Sequence, residues 1–185
     1  MFMFGLLGLV IAGALIAAVQ FRPASILPAN GTLLVQLSAT SADVAGTGRG
    51  CTGDCNFTSL LVTFDSVTVH RSGALNLTGD WITVVNTTKT IDVTQLTNTA
   101  QIFGPASVPE GTITQIRMHV TKATGTLKNG QSVSLTVPSD ELKLNIDSTI
   151  RSGTTTSINI QIEPHVVHQG NGEWKMTPVL RLKSS

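Results

Sequence analysis

Tyrosine is absent from the 185-residue chain, aromatic residues make up 4% of it, and charged residues only 12%. Twelve Lys and Arg against 11 Asp and Glu leave a formal net charge of +1. A surface that tracks nucleic-acid phosphates needs a basic excess, so this balance argues against a nucleic-acid partner. Charged residues run at about half the usual ~25%. Disordered chains combine few apolar residues with high net charge, and a chain that is 41% hydrophobic and nearly neutral does neither. Catalytic signatures are missing as well. There is no G-x-S-x-G, no H-E-x-x-H and no glycine loop leading into a helix to cradle phosphate. Asp140 and Glu141 are adjacent and so point to opposite faces of a strand, which suits them poorly as an acid/base pair. Asp43, Asp54 and Asp65 lack the oxygen-ligand spacing of a calcium loop. Neither an enzyme nor a resident cofactor is expected.

What the chain does have begins at its first residue. Residues 1–21 carry no charge, and Gln20 is their only strongly polar side chain. As a helix they would span ~30 Å, the thickness of a bilayer's hydrocarbon core. Arg22 and Pro23 then end the run. A cleaved secretory signal should open on a basic segment, whereas this chain opens on Met-Phe-Met-Phe. A plain membrane anchor accounts for length and apolarity. The small residues Gly5, Gly8, Ala12, Gly13 and Ala17 go further, because small-xxx-small spacing lets helix backbones approach closely.

On those residues the segment resembles the N-terminus of a mature archaeal type IV pilin. The resemblance implies that a charged leader has been removed and that the helix joins copies of itself in the core of a filament. Pro23 and Pro28 would stiffen the linker, residues 22–31, into a hinge.

From Thr32 the hydrophobic period becomes two. Strands are expected from residue 32 through Leu37, over 61–71, 81–85, 90–93, 112–120, 123–127, 132–137, 141–146, 155–162 and 175–182. Asn129-Gly130 marks a tight hairpin. Short strands punctuated by Gly, Pro, Ser and Asn predict a mainly β fold over residues 32–185, an antiparallel, Ig-like β-sandwich behind one long hydrophobic N-terminal helix. Ser and Thr fill 41 of the 185 positions, and β-branched Thr suits the solvent face of strands. Four N-x-T triplets start at Asn30, Asn56, Asn76 and Asn86 and are compatible with N-glycosylation outside the cell.

The stretches Gly31-Thr32-Leu33-Leu34-Val35, Val67-Thr68-Val69-His70-Arg71 and Gly79-Asp80-Trp81-Ile82-Thr83 have a recognisable order. With Pro109-Glu110-Gly111-Thr112, Leu142-Lys143-Leu144 and Lys175-Met176-Thr177-Pro178, they are similar to domain-of-unknown-function family 4382, found in bacterial and archaeal envelope proteins. The resemblance covers residues 31–183 and implies a surface-exposed β-sandwich without implying an activity.

Three further features invite chemistry. Cys51 and Cys55 flank Thr-Gly-Asp; a redox or metal pair is one reading, and a disulfide closing a small loop, worth ~2 kcal/mol, is the better one in an oxidising exterior. His165 and His168 are three apart, so on a strand they face opposite sides. A turn after Pro164 would be needed to gather them with His119 or Glu163 around a metal, and ordinary strand histidines are the simpler reading. Trp81 and Trp174 would offer a sugar-stacking platform if exposed, against core packing as the alternative.

The expectation is an extracellular, non-enzymatic filament subunit. Its N-terminal helices cross the membrane before assembly and then bundle as a homopolymer, with adhesive, glycan-contacting β domains outside. The alternative is a membrane-anchored monomer whose domain outside the cell binds glycan or envelope protein.

Overall fold

The computed structural model describes residues 29–40, 57–72 and 79–183. The expected helix with Gly5, Gly8, Ala12, Gly13 and Ala17, the hinge prolines Pro23 and Pro28, Cys51, Cys55, Asn56 and Asn76 all lie outside the described residues. Among the described residues no helix is long and apolar enough to cross a membrane.

Among the described residues, ten strands carry the fold. They are β1 (Asn30–Ala39), β2 (Phe57–Arg71), β3 (Asp80–Val85), β4 (Lys89–Asp92), β5 (Gln101–Pro109), β6 (Gly111–Leu127), β7 (Ser132–Thr136), β8 (Glu141–Ile150), β9 (Thr155–His168) and β10 (Trp174–Leu182). A 3-10 turn of helix, Val93–Thr97, follows β4. Alternation builds the core. Leu33, Val35 and Leu37 of β1, Ile158, Ile160 and Ile162 of β9, and Val67 and Val69 of β2 are all buried, while the residues between them face outward.

The strands hydrogen-bond in the order β3-β2-β6-β7-β10-β9-β1-β5, with β4 also on β2 and β8 also on β6. Short β7 stitches the two halves together, pairing with β6 through Thr124↔Ser134 and with β10 through Trp174↔Leu135. The path's two ends then meet, since β3 lies against β5 and the Phe64 ring of β2 packs edge-on against Phe103 of β5 at 5.8 Å. One nearly closed, barrel-like sheet results.

The mainly β expectation therefore stands, and its purely antiparallel pairing is corrected. β1 runs parallel to β9 from Thr32↔Thr155 to Ala39↔Ile162, and β7 runs parallel to β10. Parallel neighbours need a long crossover, and almost the whole domain lies between β1 and β9.

Irregularities account for the other differences. The expected strands 112–120 and 123–127 are one strand, β6, interrupted where register jumps from Thr63↔Lys122 to Phe64↔Val120. The extra residue Thr121 breaks the period of two, which reads as an end in sequence and is a bulge in space. In β2 both Phe64 and Val67 are buried, so the strict alternation expected through 61–70 fails at Asp65 and Ser66, where the register shifts again. β5 went unexpected because Gly104, Pro105 and Pro109 read as loop. Among the described residues it is an end strand whose only ladder is to β1, the position where a residue without an N–H is tolerated. The Asn129-Gly130 hairpin is present. The Gly130 N–H donates to the Leu127 carbonyl at 2.9 Å, with Gly130 at φ +85°.

Candidate functional site

Residues directly opposite on neighbouring strands share a face. Trp81 of β3 lies opposite His70 of β2, His70 opposite Gln115 of β6, and Gln115 opposite Asn145 of β8. These four form a row across the outer face of the sheet. Their orientation follows from alternation with Val69 and Ile116, both fully buried. The adjacent row runs Thr83, Thr68, Arg117 and Lys143, and the next places Ser66 opposite His119 and His119 opposite Glu141.

Side chains of the first two rows interlock. The Arg117 guanidinium carbon sits 3.8 Å from the centre of the Trp81 ring, a cation–π contact. Arg117 Nε donates to Gln115 Oε1 at 2.8 Å, and Gln115 Nε2 donates to Asn145 Oδ1 at 2.7 Å. On its other side Arg117 Nη1 lies 3.5 Å from Glu141, which also pairs with Lys143 Nζ at 3.1 Å. The His70 ring centre is 5.0 Å from that of Trp81, tilted by 55°, and His70 Nδ1 is 2.7 Å from Thr114 Oγ1. Thr114 is brought to this face by a bulge, since both ladders of β6 shift register around it. Gly79 makes room: a Cβ there would fall 2.5 Å from His70 Nε2.

His70, Trp81, Thr114, Gln115, Arg117 and Asn145 line a shallow groove of about 370 Å³. Trp81 remains 44% exposed, so much of its ring still meets solvent. The part of the ring that Arg117 and His70 leave exposed can stack a flat apolar face, and the amide and guanidinium donors beside it can hydrogen-bond that face's polar rim. Glu141 is the carboxylate paired with Arg117 of the groove. Burial pushes its pKa up, but the hydrogen bond from Lys143 and the charge of Arg117 outweigh that and hold it below the ordinary range. It is therefore ionised at neutral pH and is no proton donor.

The other sites expected from sequence come apart. Trp174 packs edge-on to Phe57 at 5.5 Å and stacks on His168 at 4.3 Å. Phe57 and His70 sit near opposite ends of β2, roughly 40 Å apart at ~3.3 Å per residue, so Trp81 and Trp174 share no platform. His165 and His168 both lie within β9 and no turn follows Pro164. His165 is 3.9 Å from Glu163, whereas His119 is held by Asp65 on the other half of the sheet. Among the described residues no three His, Cys, Asp or Glu are placed to hold a metal. Asn30 and Asn86 are both exposed, at the start of β1 and in the β3–β4 connection.

Two features escaped the sequence reading. Asp65 accepts a 2.7 Å hydrogen bond from His119, 54 residues away, and that bond draws its pKa below the ordinary value. Arg117 and Asn145 join the Trp81 groove only through strand register, with no local motif to announce them.

No curated protein matches the chain. Residues 52–178, well over half of the chain and every strand but β1 and the end of β10, match the family described as a domain of unknown function, DUF4382, and the chain belongs to that family.

Proposed function

We propose that this chain is a non-catalytic surface domain, displayed outside the cell by its hydrophobic N-terminal segment, that binds saccharides in the Trp81 groove. The observation that carries the reading is the half-exposed Trp81 ring, held on one side by Arg117 and continued by His70, Gln115 and Asn145. Sugars present an apolar ring face and an equatorial rim of hydroxyls, which this surface matches in kind. Binding is favoured over catalysis by the ionised, doubly paired Glu141, which leaves the groove without a raised-pKa acid. We read the nearly closed sheet as a flattened, Ig-like sandwich whose two layers are stitched by β7. Exposed Asn30 and Asn86, with Asn56 and Asn76, are proposed glycosylation sites on its exterior, and Cys51–Cys55 a proposed disulfide.

The test is a glycan array probed with the full chain in detergent. Wild type is expected to bind, and Trp81→Ala to bind about thirtyfold more weakly, the effect of removing a ~2 kcal/mol hot spot. Its unfolding midpoint should change little, because Trp81 is a partly exposed residue of an end strand. Absence of wild-type binding to every saccharide class refutes the reading.

A second reading, a pilus-like filament subunit, is favoured by the small-residue stripe Gly5, Gly8, Ala12, Gly13 and Ala17 within the uncharged run. The family match begins at residue 52 and bears on the β domain alone. In this reading Gly8→Leu or Gly13→Leu abolishes fibres seen by electron microscopy while the β domain stays folded. Intact fibres from both variants, or no fibres from wild type, remove it.

A further inference from the structure

The hydrogen-bonding valences of the groove are lopsided. Gln115 has both amide atoms engaged, its Oε1 by Arg117 Nε and its Nε2 by Asn145 Oδ1. The Asn145 carbonyl is engaged by that bond, which leaves its Nδ2 donor unspent. Thr114 Oγ1 is held between His70 Nδ1 at 2.7 Å and the His70 carbonyl at 3.4 Å. His70 Nε2 is backed against Gly79. Arg117 spends Nε on Gln115 and Nη1 on Glu141, and Nη2 is left for a ligand. Trp81 contributes an indole N–H and no acceptor.

The groove groups left without a hydrogen bond are thus Arg117 Nη2, Asn145 Nδ2 and Trp81 Nε1, all donors. Charge leans the same way. Glu141 is one carboxylate shared by two cations, Arg117 and Lys143, and the neighbouring Arg71 and Asp80 pair one-to-one at 3.1 Å. The bond sequence also transmits polarisation, because the guanidinium polarises the Gln115 amide, which in turn polarises the Asn145 amide and makes its Nδ2 a stronger donor. A neutral sugar offers hydroxyls that need acceptors as well as donors. A carboxylate offers acceptors only.

We propose that the groove recognises a carboxylated glycan of the uronic-acid class, with the carboxylate received between Arg117 Nη2 and Asn145 Nδ2; this rests on the saccharide reading above. The row from Trp81 to Asn145 crosses three inter-strand gaps of ~4.8 Å, roughly 14 Å. That length suits a short stretch of linear polymer lying across the strands, with its sugar face on Trp81.

Trigalacturonic acid and its fully methyl-esterified form share shape and hydroxyls and differ in charge, which makes them the probes. Calorimetry with the full chain in detergent is expected to show the acid binding at least about tenfold tighter than the ester, with the gap narrowing as salt is raised. Arg117→Gln should erase that preference. Asn145→Asp keeps an acceptor for Gln115 Nε2 but puts a carboxylate where a donor stood, and it should bind the acid more weakly than the ester. Equal wild-type affinity for acid and ester overturns the proposal and leaves a neutral-saccharide site. No binding of either probe, with neutral glycans retained on the array, overturns it too. No saccharide binding of any kind removes both this proposal and the reading beneath it.

Discussion

Phe64→Ala is expected to lower the unfolding free energy by about 4 kcal/mol, the cost of a deleted buried ring plus the cavity it leaves. Phe64 is 1% exposed and stands on β2, next to the bulge at Asp65. Its ring meets Phe103 at 5.8 Å with the planes 89° apart, an edge-to-face contact between strands from opposite ends of the sheet path. No hydrogen-bonded ladder joins β2 to β5, so this packing, with β3 against β5, is what draws the barrel shut. Phe64→Leu keeps most of the volume and should cost under ~1.5 kcal/mol if neighbours repack. Phe103→Ala should cost less than Phe64→Ala, because Phe103 lies at the rim, 9% exposed, with Lys89 Nζ 5.7 Å from its ring centre. Urea titrations of the variants measure these differences as shifts in midpoint at unchanged slope. A loss below ~1 kcal/mol for Phe64→Ala would mean that the closing end is not a packed core.

The same region explains which parts of the fold were legible from sequence. β8 and β10 alternate over enough residues that the strands could be read directly, and Asn129-Gly130 announced its turn. Local chemistry decides such features. Bulges were misread because a bulge inserts one residue into the period of two. Thr121 split β6 in two, and Asp65 reversed which residues of β2 look inward. β5 hid behind its own Gly and Pro, which only an end strand admits. The parallel partnership of β1 with β9 is a fact about residues about 120 apart, and no window of sequence contains it.

The groove has the same character. Trp81 could be noticed alone, as a Trp flanked by strand residues. His70, Gln115, Arg117 and Asn145 were invisible as a group, because their proximity depends on three ladders and a bulge that turns Thr114 outward. The histidine pair suffered the opposite error: His165 and His168 look close in sequence, yet β9 remains extended through both.

The last expectation concerns a residue whose role is equally non-local. Asp92 ends β4 and caps the 3-10 turn, Val93–Thr97, whose Val93 and Leu96 are buried. Its Oδ1 accepts from the Leu60 N–H at 3.1 Å, the Thr94 N–H at 3.0 Å and the Thr94 hydroxyl at 2.6 Å, and its Oδ2 from the Ser59 hydroxyl at 2.8 Å. One carboxylate thus fixes both the turn and the start of β2. Asp92→Ala strands four donors at once, and the loss should be about 3 kcal/mol, more than a lone cap because hydrogen bonds to a charged acceptor are involved. Asp92→Asn retains an acceptor oxygen for Leu60 and Thr94 but sets an NH₂ against Ser59, so about 1 kcal/mol is expected. Burial raises the Asp92 pKa, while the bonds from Thr94, Leu60 and Ser59 outweigh it and leave the group below its ordinary 3.8. A carboxylate with a depressed folded pKa stabilises fully above its unfolded value, and that contribution fades as pH falls toward and through the folded one. The stability gap between wild type and Asp92→Asn should therefore be constant near neutrality and shrink once pH drops below about 4. Asp65 and Glu141 also have lowered pKa values, but both proteins carry them, so the difference isolates Asp92. A gap that held constant into acid would show that the carboxylate's charge contributes nothing and that the hydrogen-bond geometry alone sustains the cap.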